Sequence, residues 1–281
     1  MKEAKFYKIE GEKVHCYLCP HHCKISNGQK GLCGVRKSMN EKLYSINYGQ
    51  VSSINGDPIE KKPLYHFMEG STTLSIGSFG CNLSCEFCQN YTIAKEIPKV
   101  IAMKPEEIVN LALEYQYPSI SYTYNEPTIY YEYMYDIAVL AKSKGLKNIM
   151  VTNGYIEEEP LNSLLPYIDA MNIDLKSYND FHYKKICQGS LEPVKRTILQ
   201  ASKCCHVEVT TLLVTNMNDQ EEELIEEFSW LASVNPDIPL HLSRYFPRYN
   251  YHETATDLEF MRKIYYEAKA YLNHVYLGNV K

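Results

Sequence analysis

Residues 80–90 read GCNLSCEFCQN, which places Cys81, Cys85 and Cys88 close together in the chain. Thiolate ligands at such short spacing favour zinc or an iron–sulfur cluster. A structural zinc site uses a closed set of four ligands, and no fourth cysteine lies nearby in the sequence. Three thiolates can hold three irons of a four-iron cubane and leave the fourth iron open to a non-protein ligand. The stretch therefore predicts a reactive iron–sulfur centre.

A strand–helix alternation surrounds this stretch and continues from residue 71 to the end of the chain. The stretches that read as strands are TTLSIGS (72–78), PSISYTY (118–124), NIMVTN (148–153), AMNIDL (170–175), HVEVTTLLV (206–214), PLHLS (239–243) and HVYLG (274–278). Such repeats indicate a parallel sheet with right-handed crossovers. A closed eight-fold barrel normally takes ~250 residues, more than this part of the chain supplies. We therefore predict an α/β fold with a partial (β/α)6-type TIM barrel over residues 71–281, with an open doubly wound sheet as the alternative.

The first seventy residues have a different texture, with short alternating stretches, Gly and Asn turns and little helical pattern. We interpret residues 1–70 as a small cysteine-rich module. Its Cys16, Cys19, Cys23 and Cys33 could close a four-ligand site, in contrast to the open triplet. A structural zinc and an auxiliary iron–sulfur cluster are equally compatible with this spacing, and a metal-free module with reduced thiols is the third alternative.

Composition limits the expected cellular location of the protein and the classes of partner it binds. The net charge is −5 and the basic residues are scattered, so we expect no nucleic-acid partner. The chain starts without the apolar run of a signal peptide and has no stretch long enough to cross a membrane, so we expect a cytoplasmic protein without a membrane partner. In a reducing compartment, ten cysteines are better explained as ligands or redox groups than as disulfides.

Polar residues follow the predicted strands, where reactive groups collect in parallel α/β folds. The cysteine triplet follows the first strand. The polar residues that follow later strands are Asn125, Glu126, Asn153, Asp174, Lys176 and Arg244. Each alone is an ordinary loop residue. Together they predict a polar rim that suits a small zwitterionic ligand beside a metal centre.

The spacing Cys81-x3-Cys85-x2-Cys88, with Phe87 before the last cysteine and a strand in front, resembles the cluster motif of the radical S-adenosylmethionine superfamily. The resemblance covers essentially the whole chain from residue 71. It implies a [4Fe-4S] cluster on these three catalytic cysteines, with the open iron chelated by the amino and carboxylate groups of S-adenosylmethionine. An electron, from a donor such as flavodoxin or ferredoxin, then cleaves the sulfonium to methionine and a 5′-deoxyadenosyl radical that abstracts hydrogen from a substrate.

The resemblance also assigns roles on the rim. Glu126 stands where the superfamily's Gly-Gly-Glu segment places an acceptor for the methionine amino group, although Tyr124-Asn125 replaces Gly-Gly. VTNGY and IDLK resemble segments of glycyl-radical activating enzymes, such as the pyruvate formate-lyase activator, with Val151 in place of an aspartate. HLSRYFP lacks the histidine of those activators. The implied cofactor-binding residues are Phe87, Asn125, Glu126, Asn153, Asp174, Lys176 and Arg244.

A closer likeness covers the N-terminal half. The stretches CYLCPHHCKISNGQKGLCGVR (16–36), DPIEKKPLYHF (57–67) and SYTYNEPT (121–128) resemble the radical S-adenosylmethionine enzymes of the AmmeMemoRadiSam system. Our leading hypothesis is a radical enzyme acting on a separate substrate such as a protein or peptide. The alternatives are a glycyl-radical-enzyme activase and a non-catalytic iron–sulfur or zinc protein.

Overall fold

The structure, a computed structural model, describes residues 1–280. The strands within them are β1 (Lys2–Glu3), β2 (Tyr7–Glu10), β3 (Lys13–Cys16), β4 (Lys24–Ser26), β5 (Arg36–Met39), β6 (Lys42–Ser45), β7 (Gln50–Val51), β8 (Ser53–Pro58), β9 (Thr72–Gly77), β10 (Ile101–Ala102), β11 (Ser119–Tyr122), β12 (Lys147–Thr152), β13 (Ala170–Asp174), β14 (His206–Leu213), β15 (Leu240–Arg244) and β16 (Val275–Gly278). The α-helices are α1 (Tyr91–Ala94), α2 (Pro105–Glu114), α3 (Tyr131–Ser143), α4 (Glu158–Leu164), α5 (Asp180–His182), α6 (Leu191–Ala201), α7 (Glu221–Val234) and α8 (Leu258–Ala268).

A mostly parallel sheet forms the centre of the fold. Its strand order is β16-β15-β14-β13-β12-β11-β9-β8, and every neighbouring pair except β8–β9 is parallel. The β9 and β11–β15 strands are largely buried, as expected for strands that helices cover on one face and a packed interior on the other. The predicted α/β fold is confirmed. The ends of each predicted strand differ by at most two residues from those of an observed strand.

Two helices of the central fold have irregular ends. The 3₁₀ turn Pro127–Tyr130 precedes α3. The 3₁₀ turn Leu165–Tyr167 follows α4. Each turn has a proline at its first or second position, where the missing N–H costs no intrahelical hydrogen bond.

The sheet extends further toward the N-terminus than the sequence suggested. Strand β8 pairs antiparallel with β9 from Ser53↔Gly77 to Pro58↔Thr72. Its sequence, SINGDP, contains Gly, Asp and Pro, which are typical of turns, so the strand was missed. Strands β8 and β16 form the two edges of the sheet within residues 1–280. The partial barrel and the domain boundary at residue 70 remain interpretations.

Two small antiparallel sheets, β1-β6-β5 and β2-β3-β4, precede the central sheet. They contact α3 through an ion pair between the buried side chains of Arg36 and Glu132, whose Nη2–Oε1 distance is 2.6 Å. No helix in residues 1–280 combines the length and the apolar composition needed to cross a membrane.

Candidate functional site

An open cavity of about 770 Å³ is lined by residues at the carboxyl ends of the central strands and by residues within them such as Thr210 and His241. Cys81, Cys85 and Cys88 line it, directly after β9. The rim residues that line it with them are Asn125, Glu126, Asn153, Asp174 and Lys176. These residues come from loops after four different strands, and they meet because parallel strands end at one edge of the sheet.

The cysteine loop (residues 78–90) is held by backbone hydrogen bonds to two distant segments. The Asn125 side chain accepts from Ser78 N at 2.8 Å and donates to Gly80 O at 3.0 Å. On the other side, Ser84 N donates to Cys187 O at 2.8 Å, and Glu86 N donates to Ile186 O at 3.2 Å. Those two carbonyls belong to a short π-helix, Tyr183–Cys187, a distortion often found at functional sites.

The three loop cysteines differ in their surroundings. Burial raises the pKa of the Cys81 and Cys88 thiols. A hydrogen bond with the Cys187 thiol, together with burial, raises the pKa of Cys85 well above its ordinary value. Cys187 is far from the triplet in the sequence and reads there as a buried structural thiol, and the fold places it beside Cys85. Cys187 is fully buried and is not among the residues that line the cavity.

The Glu126 carboxylate is held rigidly at the cavity wall. Its Oε1 accepts from Thr128 N at 2.9 Å and from Thr152 Oγ1 at 2.7 Å, and its Oε2 accepts from Asn153 N at 2.8 Å. Burial raises the pKa of Glu126, and these donors oppose that rise. A carboxylate can accept about four hydrogen bonds, so about one position is left for a donor in the cavity.

Asn153 connects Glu126 to the cysteine loop. Its side-chain Nδ2 donates to Asn82 Oδ1 at 2.9 Å and lies 3.7 Å from Cys81 Sγ. Asn82 in turn donates to Tyr155 O at 2.7 Å. The loops after β9, β11 and β12 are therefore fixed relative to one another at the site.

Lys176 supplies the positive charge on the opposite wall. Its Nζ lies 2.8 Å from Asp174 Oδ2. Burial alone would lower the pKa of Lys176, but the charge of the Asp174 carboxylate raises it above its ordinary value. The ammonium is thus charged at neutral pH and close to the cysteines. A zwitterion placed between Glu126 and Lys176 would meet an acceptor for its amine and a donor for its carboxylate.

The last two candidate residues, Phe87 and Arg244, differ in their position relative to the cavity. Phe87 is buried, lines the cavity and contacts the edge of Tyr251 at a ring-centroid distance of 6.4 Å. Arg244 is not among the cavity-lining residues. Its Nε donates to Thr256 O at 2.9 Å, and its guanidinium lies over the Phe246 ring. The structure therefore does not bring Arg244 together with the other candidates.

Tyr124, which replaces a glycine of the Gly-Gly segment, keeps a backbone conformation typical of glycine. Its φ is +68°, in the left-handed region that glycine occupies without steric cost. Its hydroxyl donates to Asp57 Oδ2 at 2.7 Å, and the buried Lys62 ammonium lies over its ring. These contacts hold the strained tyrosine, and they show that Lys62 belongs to the packed interior.

Sequence reasoning missed a carboxylate–histidine pair in the interior. His241 lines the cavity, and its Nε2 lies 2.6 Å from Oε2 of the fully buried Glu208. Glu208 also accepts from Tyr65 N at 3.0 Å, and Tyr65 lines the same cavity. The sequence could have indicated His241 as a lining residue. His241 and Ser243 are two residues apart in β15, and alternate residues of a strand lie on the same face.

The four N-terminal cysteines gather at a second, much smaller cavity of about 10 Å³. Its lining includes Cys16, Cys19, Cys23 and Cys33. In the part of the chain that the structure describes, no three His, Cys, Asp or Glu side chains stand close enough to hold a metal ion without movement. This applies to the N-terminal set and to the loop cysteines alike.

The residues of the large cavity fit an iron–sulfur cluster with one open iron. Three thiols reach the cavity, and the fourth nearby thiol, Cys187, does not line it. Within residues 1–280, the lining contains no other cysteine that would close the set. Glu126 and Lys176 line the same cavity and would offer a hydrogen-bond acceptor and a positive charge to an amino-acid ligand of the cluster.

The chain is similar to known proteins over its whole length. The Radical SAM superfamily model matches residues 75–228. An uncharacterized protein of Methanocaldococcus jannaschii is 46% identical, over 100% of this chain and 86% of that protein. A putative glycyl-radical enzyme activating enzyme of the same organism is 29% identical, over 72% of this chain and 87% of that protein.

A solved structure resembles the fold. A domain of pyruvate-formate lyase-activating enzyme from Bacteroides vulgatus superposes with a TM-score of 0.50 at 19% identity, covering 57% of this chain and 99% of that one. Members of the matched family are enzymes that use a [4Fe-4S] cluster and S-adenosylmethionine. With its family match over more than half its length, the chain belongs to the radical SAM superfamily.

Proposed function

We propose that the chain cleaves S-adenosylmethionine reductively and takes a hydrogen atom from a separate substrate. The observation that carries this proposal is the meeting of three thiols, an acceptor carboxylate and a paired lysine around one cavity, without a fourth thiol in the lining among residues 1–280. An electron carrier would have no use for groups that recognise an amino acid, which disfavours the non-catalytic alternative.

The residues of the chain have separate tasks in this proposal. Cys81, Cys85 and Cys88 would hold the [4Fe-4S] cluster. When bound, the cluster would supply the electron that breaks a sulfonium bond of S-adenosylmethionine, and S-adenosylmethionine would supply the 5′-deoxyadenosyl radical. Glu126 accepts the methionine amino group through its remaining acceptor position, and Lys176 pairs with the carboxylate. Phe87 shields the loop from water by packing against Tyr251.

The interior of the sheet is the proposed substrate region. His241 and Tyr65 line the same cavity as the cysteine loop, so polar groups are available there to orient a substrate. The open edge of a partial barrel suits a protein or peptide, and the likeness to activating enzymes supports that class. We expect a flavodoxin or ferredoxin as electron donor.

A glycyl-radical-enzyme activase is the second candidate. The relative that bears the name of a putative glycyl-radical enzyme activating enzyme favours it. Production of a glycyl radical on a co-purified partner protein, detected by electron paramagnetic resonance, would establish this candidate as the reaction.

The proposed reaction is tested by anaerobic reconstitution. We expect about four irons per chain at the loop site, and 5′-deoxyadenosine after reductant and S-adenosylmethionine are added. The Cys85→Ala variant should lose both, whereas the control Cys204→Ala, at an exposed cysteine, should keep both. Absence of 5′-deoxyadenosine from protein with an intact cluster, or retention of activity by Cys85→Ala, would refute the proposal.

A further inference from the structure

The N-terminal cysteine pocket, formed by Cys16, Cys19, Cys23 and Cys33, has no role in the proposed reaction. Cys16 ends β3, Cys19 lies in the following turn and Cys23 immediately precedes β4. Cys33 lies in the loop before β5. A hydrogen bond of 2.9 Å from Cys16 N to Cys23 O closes the first three cysteines into one hairpin. The fold thus brings four thiols from two adjoining sheets to the lining of one small pocket.

The size of the pocket distinguishes a single ion from a cluster. Its volume is about 10 Å³, and Leu18, Ile25 and Ile129 form the apolar part of its lining. A space of this size holds about one water-sized body. Eight iron and sulfide atoms would have to displace these packed apolar side chains. A zinc ion instead needs only that four sulfurs approach a common centre to about 2.3 Å.

The Arg36 guanidinium places a positive charge beside the thiols, because Arg36 lines the same pocket and is about 1% exposed. A zinc ion with four thiolates carries a net charge of −2, and the buried Arg36 opposes that charge.

The pocket also supports the cysteine loop of the large cavity. His21 Nε2 lies 2.6 Å from Asn82 O, next to Cys81. The Cys33 carbonyl oxygen would lie 2.7 Å from a Cβ built on Gly80, so the two backbones are in close contact there. An ion that fixes the N-terminal hairpin would therefore also fix one side of the catalytic loop.

We propose that Cys16, Cys19, Cys23 and Cys33 bind one zinc ion in a closed, structural, tetrahedral site. The sulfurs surround the pocket without yet closing on a point, and ion binding draws them inward. The site takes no part in electron transfer. It converts the binding free energy of the metal into stability of a segment with little apolar core of its own.

The decisive sample is the full chain with Cys81, Cys85 and Cys88 all changed to Ala, because it removes the other thiol site. We expect about one zinc per chain by elemental analysis and no visible iron–sulfide absorption. Cobalt substituted for zinc should show thiolate-to-metal charge transfer and the d–d bands of tetrahedral coordination. This result is independent of whether the protein cleaves S-adenosylmethionine.

Loss of a ligand supplies the matched comparison. Cys19→Ser in the same background should lose the zinc, and the exposed Cys204→Ser should keep it. Should Cys19→Ser fail to fold, the triple variant with its four N-terminal cysteines unchanged can be titrated with a mercurial. About one zinc per chain should be released as these thiols react. Iron and sulfide in the triple variant would overturn the proposal in favour of an auxiliary cluster. Absence of any metal would overturn it in favour of free thiols.

Discussion

At the residue scale, the candidate ligands that are close in sequence were predictable, and those that meet only in the fold were not. The motif Cys81-x3-Cys85-x2-Cys88 is local, and strand ends of a parallel sheet share one edge, so Glu126 and Lys176 followed from strand positions. Cys187 reaches Cys85, and Glu208 reaches His241, only through chain folding. Arg244 ends a strand like the others, but its side chain turns toward Thr256.

The Cys187 thiol is expected to tune the cluster. Once Cys85 binds iron as a thiolate, only the neighbouring Cys187 thiol still carries a proton and can donate to the Cys85 sulfur. Because hydrogen bonds to cluster sulfurs raise the reduction potential, Cys187→Ala should lower it by on the order of tens of millivolts. Cys187→Ser keeps a donor and should change it less. Redox titration followed by electron paramagnetic resonance measures both. Equal potentials in wild type and Cys187→Ala would show that this contact is lost once the cluster is bound.

Glu227, which lies outside the candidate site, is expected to make the stability of the fold depend on pH. It is fully buried, Oε1 accepts from Thr211 Oγ1 at 2.5 Å, and Oε2 has no partner within residues 1–280. Burial raises its pKa from 4.5 to about 8. Because the pKa of Glu227 is higher in the folded protein than in the unfolded chain, its protonation stabilises the fold fully at pH values below the unfolded pKa of 4.5. This contribution is lost as the pH rises through the folded pKa of about 8.

Glu227→Gln should therefore flatten the pH dependence of the free energy of unfolding. Between about pH 7 and about pH 9 the wild type should lose about 1 kcal/mol that the variant retains. Urea unfolding at both pH values measures this difference. The exposed Glu226→Gln on the same helix is the control and should follow the wild type. A parallel pH profile for Glu227→Gln and the wild type would contradict the assignment.

At the element scale, the regular strands and helices followed from apolar patterning, whereas the irregular segments did not. β8 reads as a turn because of Gly56, Asp57 and Pro58, and it becomes a strand only because β9 offers an unpaired edge. The π-helix Tyr183–Cys187 lies in a stretch that reads as ordinary helix. Its carbonyls face the cysteine loop, a tertiary contact that no local pattern contains.

The contact between this π-helix and the loop predicts the effect of Gly189→Ala. A Cβ there would lie 2.5 Å from Leu83 Cδ2 in the cysteine loop. Overpacking of this kind costs about 1–3 kcal/mol, and we expect a lower iron content after reconstitution. The double variant with Leu83→Val removes the colliding methyl and should recover iron. Wild-type iron content in Gly189→Ala would show that the loop does not depend on this packing.

At the scale of the whole molecule, a buried ion pair joins the N-terminal sheet β1-β6-β5 to helix α3. Arg36 Nη2 and Glu132 Oε1 are 2.6 Å apart, and both side chains are about 1% exposed. Glu132 also accepts from Lys5 N at 2.7 Å. The pair could not be predicted from the sequence, because a buried partner for Arg36 is identified only by the packing of β5 against α3.

Arg36→Ala should cost about 3–5 kcal/mol, because it leaves the Glu132 carboxylate buried and unpaired. Chemical denaturation measures the loss. The double change Arg36→Met with Glu132→Leu removes both charges, so it should recover most of the stability. If Arg36→Ala unfolds at the same denaturant concentration as the wild type, the pair does not join the two parts of the molecule.

The reading of the three-cysteine loop as an open cluster site is tested most directly by electron–nuclear double resonance. The sample is the reconstituted, reduced protein with S-adenosylmethionine labelled at its amino nitrogen. We predict a coupling between the cluster spin and the labelled nitrogen, because the lining of Cys81, Cys85 and Cys88 leaves one iron for that ligand. An intact cluster that binds S-adenosylmethionine without any coupling to this nitrogen would contradict it.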